Sequence, residues 1–368
     1  MLDAQIIAHR GSFDLDVTLG AESSQVVCLV GPNGSGKSTL LASISGQLRA
    51  DGHINFDGHV LMGGRHPVPA HKRGFAWMGQ NPAVFPHLSV VRNIEFGIRA
   101  PSRSQTRAIL EQTLTDFDLI PLAGRLGSEL SGGQKARLAL ARVFATSPAL
   151  VLLDEPCAAL DVDAAAELRT LISQKLRSEH VTALIATHSL LDLTAWADRV
   201  VVVDKGHLVE QGNMDTILRF PRTTFLQSLA QVGVVTGKVH QGTFRSDTGL
   251  AFLAPEQTNG PALASIPAPA CWATAVDPSR SPDPSGELQL ASRLTAFPPQ
   301  NRAPNIVHIM STIDHLSEMN GQVTIHVPVL PAVPIAVSSA DLARGRFGPG
   351  MPVCISVNTA QVDIGKIG

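Results

Sequence analysis

The order of apolar runs, glycine loops and prolines along this 368-residue chain predicts an α/β domain with a mostly parallel sheet, followed by a smaller all-β domain. Up to about residue 232, short apolar runs such as QVVCLV, ALVLLDEP, VTALIATH and RVVVVDKG alternate with helical patterns, the rhythm of strands joined by crossover helices. Of the 25 prolines, 15 fall at or after Pro255, where β-rich runs such as GQVTIHVPVL, IAVSS and MPVCISVNTAQVDI stand between turn signals, as in a barrel or sandwich. The domains are therefore drawn at 1–232 and 233–368. Within the second, APEQTNGPALASIPAPA and VDPSRSPDPSGELQ read as loops or linkers, because proline blocks ladder hydrogen bonds and small polar residues bury little.

Bulk composition narrows the function. A hydrophobic share of 44% supports an ordinary packed core, and 29 basic against 31 acidic side chains give no net basic field for duplex nucleic acid. An anionic ligand must then be held by a local site. The four cysteines, Cys28, Cys157, Cys271 and Cys354, form no C-x-x-C pair, which argues against a zinc site or a disulfide framework and for reduced thiols. The opening MLDAQIIAHRGSFDLDV has acids where a signal peptide needs basic residues and an apolar core, and no later run reaches the roughly 18 apolar residues of a spanning helix. Work at a membrane is expected to go through a partner.

The first functional element in chain order is CLVGPNGSGKSTLL. It satisfies G-x-x-x-x-G-K-[ST] from Gly31 to Ser38, between an apolar strand and a helix, which is the context the motif requires. A chance glycine turn is the alternative, and the flanking strand and helix weigh against it. Glycines let backbone N–H groups turn inward on phosphates, and the helix start adds a favourable dipole. Lys37 is expected to reach the β- and γ-phosphates, and Ser38 to offer its hydroxyl to Mg²⁺.

Next, ALVLLDEP ends in two acids at what reads as the exposed end of a buried strand. Asp154 suits Mg²⁺ or its bound water, and Glu155, pointing to the opposite side, suits polarising an attacking water; two acids capping a following helix are the plainer alternative. His188 in LIATHSLLD sits just past a further apolar strand, where α/β sheets present ligand-facing residues, although a lone histidine is more often structural. A second glycine-rich helix start, ELSGGQKARLALAR, raises the question of why a chain with one complete cradle needs another.

In order, GPNGSGKST, the glutamine of WMGQN, LSGGQ, LVLLDEP, AALD and ATHS resemble the motifs of the ATP-binding subunits of ABC transporters, over the first 230 or so residues. That resemblance implies a P-loop NTPase cassette with a helical subdomain, and ATP and Mg²⁺ as cofactors. It implies that Gly31, Pro32, Asn33, Gly34, Ser35, Gly36, Lys37, Ser38 and Thr39 hold nucleotide. Gln80 would sense Mg²⁺ and water, so that Ser38, Gln80 and Asp154 form the metal set, while Glu155 and His188 act on the γ-phosphate side. Two copies would pack head to tail, with Ser131, Gly132, Gly133 and Gln134 facing ATP in the partner and Asp161 crossing the interface. Phe13 lies where the family places an aromatic on adenine, with an ordinary core phenylalanine as the alternative.

The resemblance also implies a homodimer on two membrane-spanning permease subunits, fed by an extracytoplasmic solute-binding protein, at the cytoplasmic face of the membrane. Asn81 to Ile98 would form the groove for a membrane subunit's coupling helix. FDLDVTL, FPHLSV, DEPCAALD and THSLLDL look most like molybdate-importer ATPases. RAPNIVHIM and DLARGRFGPGMPVCISVNTAQV resemble TOBE/MOP-like β modules, which bind molybdate or tungstate or hold a dimer together; PPQNRAPN departs from the usual oxyanion pattern. Sulfate, ferric iron and polyamine importers remain alternatives, as does a soluble ABC ATPase acting on nucleic acid.

The two charged residues make separable predictions. Lys37→Ala should abolish ATP binding measured by equilibrium dialysis. Glu155→Gln should keep binding and lose about 10²- to 10⁴-fold in hydrolysis rate, the usual worth of a general base.

Overall fold

The computed structural model describes residues 1–246, 250–254, 259–275, 306–319, 322–328, 330–337, 347 and 349–366. VDPSRSPDPSGELQ and PPQNRAPN lie outside the described residues. The chain forms two compact units, Met1–Met214 and Asp215–Gly368.

The first unit runs β1 (Leu2–Arg10), β2 (Phe13–Ala21), β3 (Val26–Val30), α1 (Lys37–Ser45), β4 (Asp51–Phe56), β5 (His59–Met62), β6 (Phe75–Met78), α2 (Val90–Glu95), α3 (Arg103–Asp116), α4 (Gly132–Phe144), β7 (Leu150–Asp154), α5 (Val162–Ser178), β8 (Thr182–Ala186), α6 (Leu190–Trp196), β9 (Arg199–Asp204) and β10 (His207–Asn213). Its sheet has the order β5-β4-β1-β2-β10-β9-β3-β8-β7-β6.

This sheet is mixed, a correction to the mostly parallel reading. Strands β9, β3, β8, β7 and β6 pair in parallel, whereas β5, β4, β1 and β2 pair antiparallel, and β9 pairs antiparallel with β10. Tight turns are the reason. Asp57-Gly58 and Lys205-Gly206 hold positive φ at both residues, the turn twist that closes antiparallel hairpins. Gly206 has a second constraint, since a Cβ there would lie 1.9 Å from the Asp14 carbonyl oxygen.

The two halves of the sheet bury differently. In β1, Leu2, Ala4, Ile6 and Ala8 are buried while their neighbours are not, the period-2 pattern of a strand with one covered face. Every residue of β3, β7 and β8 is buried, as expected of parallel strands covered on both faces. Leu29, Leu40, Leu41, Ile44, Leu152 and Leu184 pack into this core, each contributing about 1.5–3 kcal/mol by burial. Helices α2, α3 and α4 pack on one another as a helical subdomain.

In the second unit α7 (Met214–Arg219) and α8 (Thr224–Ala230) precede β11 (Val232–His240), β12 (Thr243–Ser246), β13 (Ala251–Leu253), β14 (Gly260–Pro267), β15 (Cys271–Ala275), β16 (Ile306–Thr312), β17 (His315–Met319), β18 (Gln322–Val327), β19 (Leu330–Ala336), β20 (Pro352–Asn358) and β21 (Asp363–Lys366). These strands form sheets ordered β13-β12-β11-β14-β21, β15-β20-β16 and β17-β18-β19. The unit begins at Asp215, earlier than the composition shift at 232/233. Contacts explain the difference: α8 packs on β11 and β19, Arg219 pairs with Asp363, and Ser265 donates to the Arg219 carbonyl.

APEQTNGPALASIPAPA is not all linker, because β14 lies within it and pairs with β11 and β21. Its Pro261 and Pro267 sit near the strand ends, and Ala262, Ala264 and Ile266 point into the core between them. An exposed linker would tolerate a charge; fully buried Ala264 should not. Ala264→Glu is expected to cost ~3 kcal/mol or more in urea unfolding, the penalty of a buried unpaired charge.

Candidate active site

The parallel register brings the motif residues to one edge of the sheet. Leu29 pairs with Ala186 and Asp154 pairs with Ala186, so β3, β8 and β7 end side by side, each followed by functional residues. Residues after β3 form the glycine loop. Gly31 holds φ +152°, and a Cβ there would lie 1.9 Å from the Val203 carbonyl oxygen. Gly36, the N-cap of α1, holds φ +109°, and its Cβ would lie 2.9 Å from the Phe13 ring and 2.7 Å from Leu15. Asn33 and Gly34 form the exposed rim, while Ser35 and Lys37 are buried. Pro32 and Thr39 are half-buried, and each lends a backbone carbonyl to the loop or helix, to Lys37 and Ser43 respectively.

Lys37 Nζ donates to the carbonyls of Gly31 at 2.8 Å and Pro32 at 3.0 Å. Burial pushes the Lys37 ammonium below its ordinary range, opposed by the negative charges of Glu155 and Asp154. Phosphate oxygens would compete for the same three protons with full charges in place of carbonyl dipoles.

Asp154 is not at an exposed strand end, as the sequence suggested; it is 2% exposed. Burial raises its carboxyl above the usual range, with Glu155 adding to the rise and Ser38's hydrogen bond and Lys37 opposing it. Its Oδ1 has no hydrogen-bond partner among the described residues. Gln80 Nε2 lies 3.3 Å from Ser38 Oγ, so Ser38, Gln80 and Asp154 do come together. An orphaned buried carboxylate oxygen beside a hydroxyl and an amide is a hard, oxygen-rich donor set, and it fits Mg²⁺.

Glu155 follows with φ +50°, a conformation that costs a side-chain-bearing residue about 1–3 kcal/mol. Its N–H donates to the Ala186 carbonyl at 2.9 Å, so the end of β7 is locked to the end of β8. His188 Nδ1 lies 3.5 Å from Glu155 Oε1, which places both predicted γ-phosphate residues together.

Phe13 packs half-buried on the core beside Gly36, so its ring borders the cradle. Ser131 and Gly132 are exposed at the start of α4. Ser131 and Gln134 form a reciprocal capping box: Gln134 N–H donates to Ser131 Oγ at 3.3 Å and Ser131 N–H to Gln134 Oε1 at 3.1 Å. Gly133 faces Ala164 on α5. Asp161 caps α5 through the Ala164 N–H at 2.9 Å and is itself exposed. Ser131, Gly133, Gln134 and Asp161 thus contact α4 and α5 in these interactions, away from the cradle.

The Asn81–Ile98 segment is pinned by Asn93. That fully buried amide accepts from the Phe85 N–H at 2.9 Å and donates to the carbonyls of Phe85, Leu88 and Ser89. Beside it Phe85 and Phe96 meet edge to face, Arg142 lies over Phe85, and a groove of about 310 Å³ opens between Trp77, Phe96, Arg99 and Arg142.

Sequence reading missed Thr187, Asp192 and Arg169, which sit directly behind His188. Their only trace is ordinary helix chemistry: an acid in the first turn of α6 and a basic residue on α5.

The chain is similar to known proteins. The family model described as ABC transporter matches residues 15–158. The molybdenum import ATP-binding protein ModC of Mycobacterium tuberculosis is 36% identical over 245 residues, 64% of this chain and 66% of that protein. The Fe(3+) ions import ATP-binding protein FbpC of Pseudomonas fluorescens is 36% identical over 252 residues, 67% of this chain and 70% of that protein. The sulfate/thiosulfate import ATP-binding protein CysA of Escherichia coli (strain K12) is 37% identical, over 62% of this chain and 64% of that protein. Of solved structures, cbiO1 from Clostridium perfringens superposes with a TM-score of 0.52 at 26% identity, over 59% of this chain and 92% of that one. A dimeric ATP-binding cassette, MJ0796 bound to ADP and Pi, gives a TM-score of 0.51 at 23% identity, over 58% of this chain and 99% of that one, a likeness of fold.

Two substitutions test the site. Gly36→Ala should abolish nucleotide binding in equilibrium dialysis, because the methyl would meet Phe13 and Leu15 at a φ unsuited to alanine. Asp154→Asn removes a buried charge and should raise the Tm of the nucleotide-free protein by about 2–4 °C while removing any Mg²⁺-dependent gain in Tm with ATP.

Proposed function

The chain belongs to the ATP-binding subunits of ABC transporters, and from that membership we propose that it binds Mg²⁺-ATP and hydrolyses it to drive import through membrane-spanning partners. The observation that carries this reading is the convergence of Lys37, Ser38, Gln80, Asp154, Glu155 and His188 at the ends of four adjacent parallel strands, β3, β8, β7 and β6.

The chemistry follows from the groups. The glycine loop and Lys37 hold the phosphates, with Phe13 beside the cradle as the surface for adenine. Ser38, Asp154 and Gln80 would hold Mg²⁺, which when bound neutralises phosphate oxygens. Glu155 accepts a proton from water as its oxygen attacks the γ-phosphorus and the bond to the ADP oxygen breaks, giving ADP and inorganic phosphate. His188, against Glu155, orients that carboxylate and donates toward the γ-phosphate.

Ser131, Gly132, Gly133 and Gln134 belong to the composite site. With Ser131 and Gly132 exposed at a helix start, they offer a hydroxyl and N–H groups to the ATP of a second copy packed head to tail, with Asp161 at the same interface. That dimer is expected on two permease subunits at the cytoplasmic face of the membrane, with a solute-binding protein outside. Among the described residues no helix is long and apolar enough to cross a membrane. The groove between Trp77, Phe96 and Arg142 is the proposed dock for a coupling helix.

For the solute, molybdate or tungstate leads. FPHLSV, DEPCAALD, THSLLDL and the β-rich second unit support it, whereas relatives at 36–37% identity are named for molybdenum, iron and sulfate import. The second unit is proposed as a TOBE/MOP-like module that either binds the oxyanion or holds the dimer together.

Light scattering tests the composite site. Glu155→Gln with ATP should double in mass, and wild type should return to monomer as ATP is consumed; monomer throughout, with hydrolysis near the wild-type rate, would remove both the base and the dimer. Equilibrium dialysis of the full chain against micromolar molybdate separates the sensor from the arm.

A further inference from the structure

His188 is more than half exposed and, among the described residues, meets Glu155 through a 3.5 Å contact, so its own side chain does little to fix it. Its backbone is fixed from behind. Thr187 and Asp192 are buried, at 2% and 3% exposure. Thr187 Oγ1 donates to Asp192 Oδ2 at 2.6 Å and accepts from the Ser189 N–H at 3.1 Å, so one hydroxyl ties the residues on both sides of His188. Asp192 Oδ1 accepts from Arg169 Nε on α5 at 2.8 Å. Trp196 donates its indole N–H to the Arg169 carbonyl at 3.0 Å, locking α6 to α5. Thr187 N–H also donates to the Leu29 carbonyl, anchoring the same residue to β3.

Stability alone is a poor reason for this arrangement. A buried ion pair roughly breaks even against apolar residues of similar volume, because desolvation offsets the attraction. What it adds here is orientation. Arg169 lies about two turns along α5 from Asp161, the residue that caps that helix. A shift of α5 therefore pulls on Asp192, and through the Thr187 hydroxyl on both peptides flanking His188.

We propose that Arg169, Asp192 and Thr187 are positioning residues that set His188 against Glu155 and couple it to the Asp161 end of α5. This rests on the hydrolysis reading above. None of the three reaches the site itself, so each acts through His188. Ser189, where this chain has a small hydroxyl residue after the histidine, contributes its N–H to the same hydroxyl.

Thr187→Val tests the link, because it keeps shape and leaves the Arg169–Asp192 pair in place while removing the hydroxyl. The expected result is a 10- to 100-fold fall in kcat, the order of loss that a misplacement of about 1 Å brings. ATP affinity should stay within about threefold and Thr187→Ser should restore the rate. In a His188→Ala background Thr187→Val should cost nothing further, since both act on one element. Asp192→Asn should behave as Thr187→Val does, and stands in for it should valine disturb folding. A readout apart from turnover is the NMR chemical shift of the His188 ring at fixed pH in the nucleotide-free chain, which should move in Thr187→Val and Asp192→Asn. A wild-type rate in either variant, losses that add to that of His188→Ala, or an unmoved His188 resonance would overturn the proposal while hydrolysis by wild type still stands. Absence of any ATP hydrolysis by wild type would overturn the hydrolysis reading as well.

Discussion

The constraint on which the first unit depends is the in-register parallel pairing of β3, β8 and β7. All three strands are buried on both faces, so their apolar runs can end only where the layer of helices ends, and all three end together. The residues that follow them are thereby delivered to one edge without any contact among themselves being required. Gly31, Glu155 and Thr187 each emerge there, and each is locked by a backbone bond or close approach to a neighbouring strand. Moving one strand by a single residue would exchange its inner and outer faces and scatter the site.

At that edge the charges are held in tension. Lys37 is pushed toward neutrality by burial and drawn back by Glu155 and Asp154, while Asp154 is pushed toward neutrality by burial and has an oxygen with no partner among the described residues. Such a set is incompletely matched on its own terms. It becomes matched with phosphate on the lysine side and a divalent cation on the carboxylate side, which is the pattern of a site prepared for a polyanion with its counter-ion. The left-handed backbone at Glu155 belongs to the same preparation, since the fold accepts local strain to aim that carboxylate.

Much of this was legible in the chain. GPNGSGKST specifies its own turn chemistry, because only glycine fits at Gly31 and Gly36, where a Cβ would collide with Val203, Phe13 or Leu15. The capping box of Ser131 and Gln134 could be read from spacing, and the exposure of Ser131 and Gly132 fits the reading of a helix start that serves another copy. Less legible were features that depend on partners far along the chain. The antiparallel flank of the sheet follows from two-residue turns, and β14 hides within small residues and prolines that look like linker until β11 and β21 flank it. The boundary at Asp215 was likewise hidden, since α7 and α8 read as helices of the first domain until their packing partners are known.

The sequence by itself determined which chemistry this chain carries: a phosphate cradle, an acid pair after a buried strand, and a histidine after another. Those are local patterns, in which neighbouring residues shape their own backbone, and they survive reading one residue at a time. Only the tertiary structure decided that Asp154 is buried with an orphaned oxygen, that Glu155 and His188 meet, and that Arg169, Asp192 and Thr187 stand behind them. The physical reason is separation: Glu155 follows β7 and His188 follows β8, and Arg169 and Asp192 are 23 residues apart on different helices, so only parallel pairing and helix packing bring each pair together.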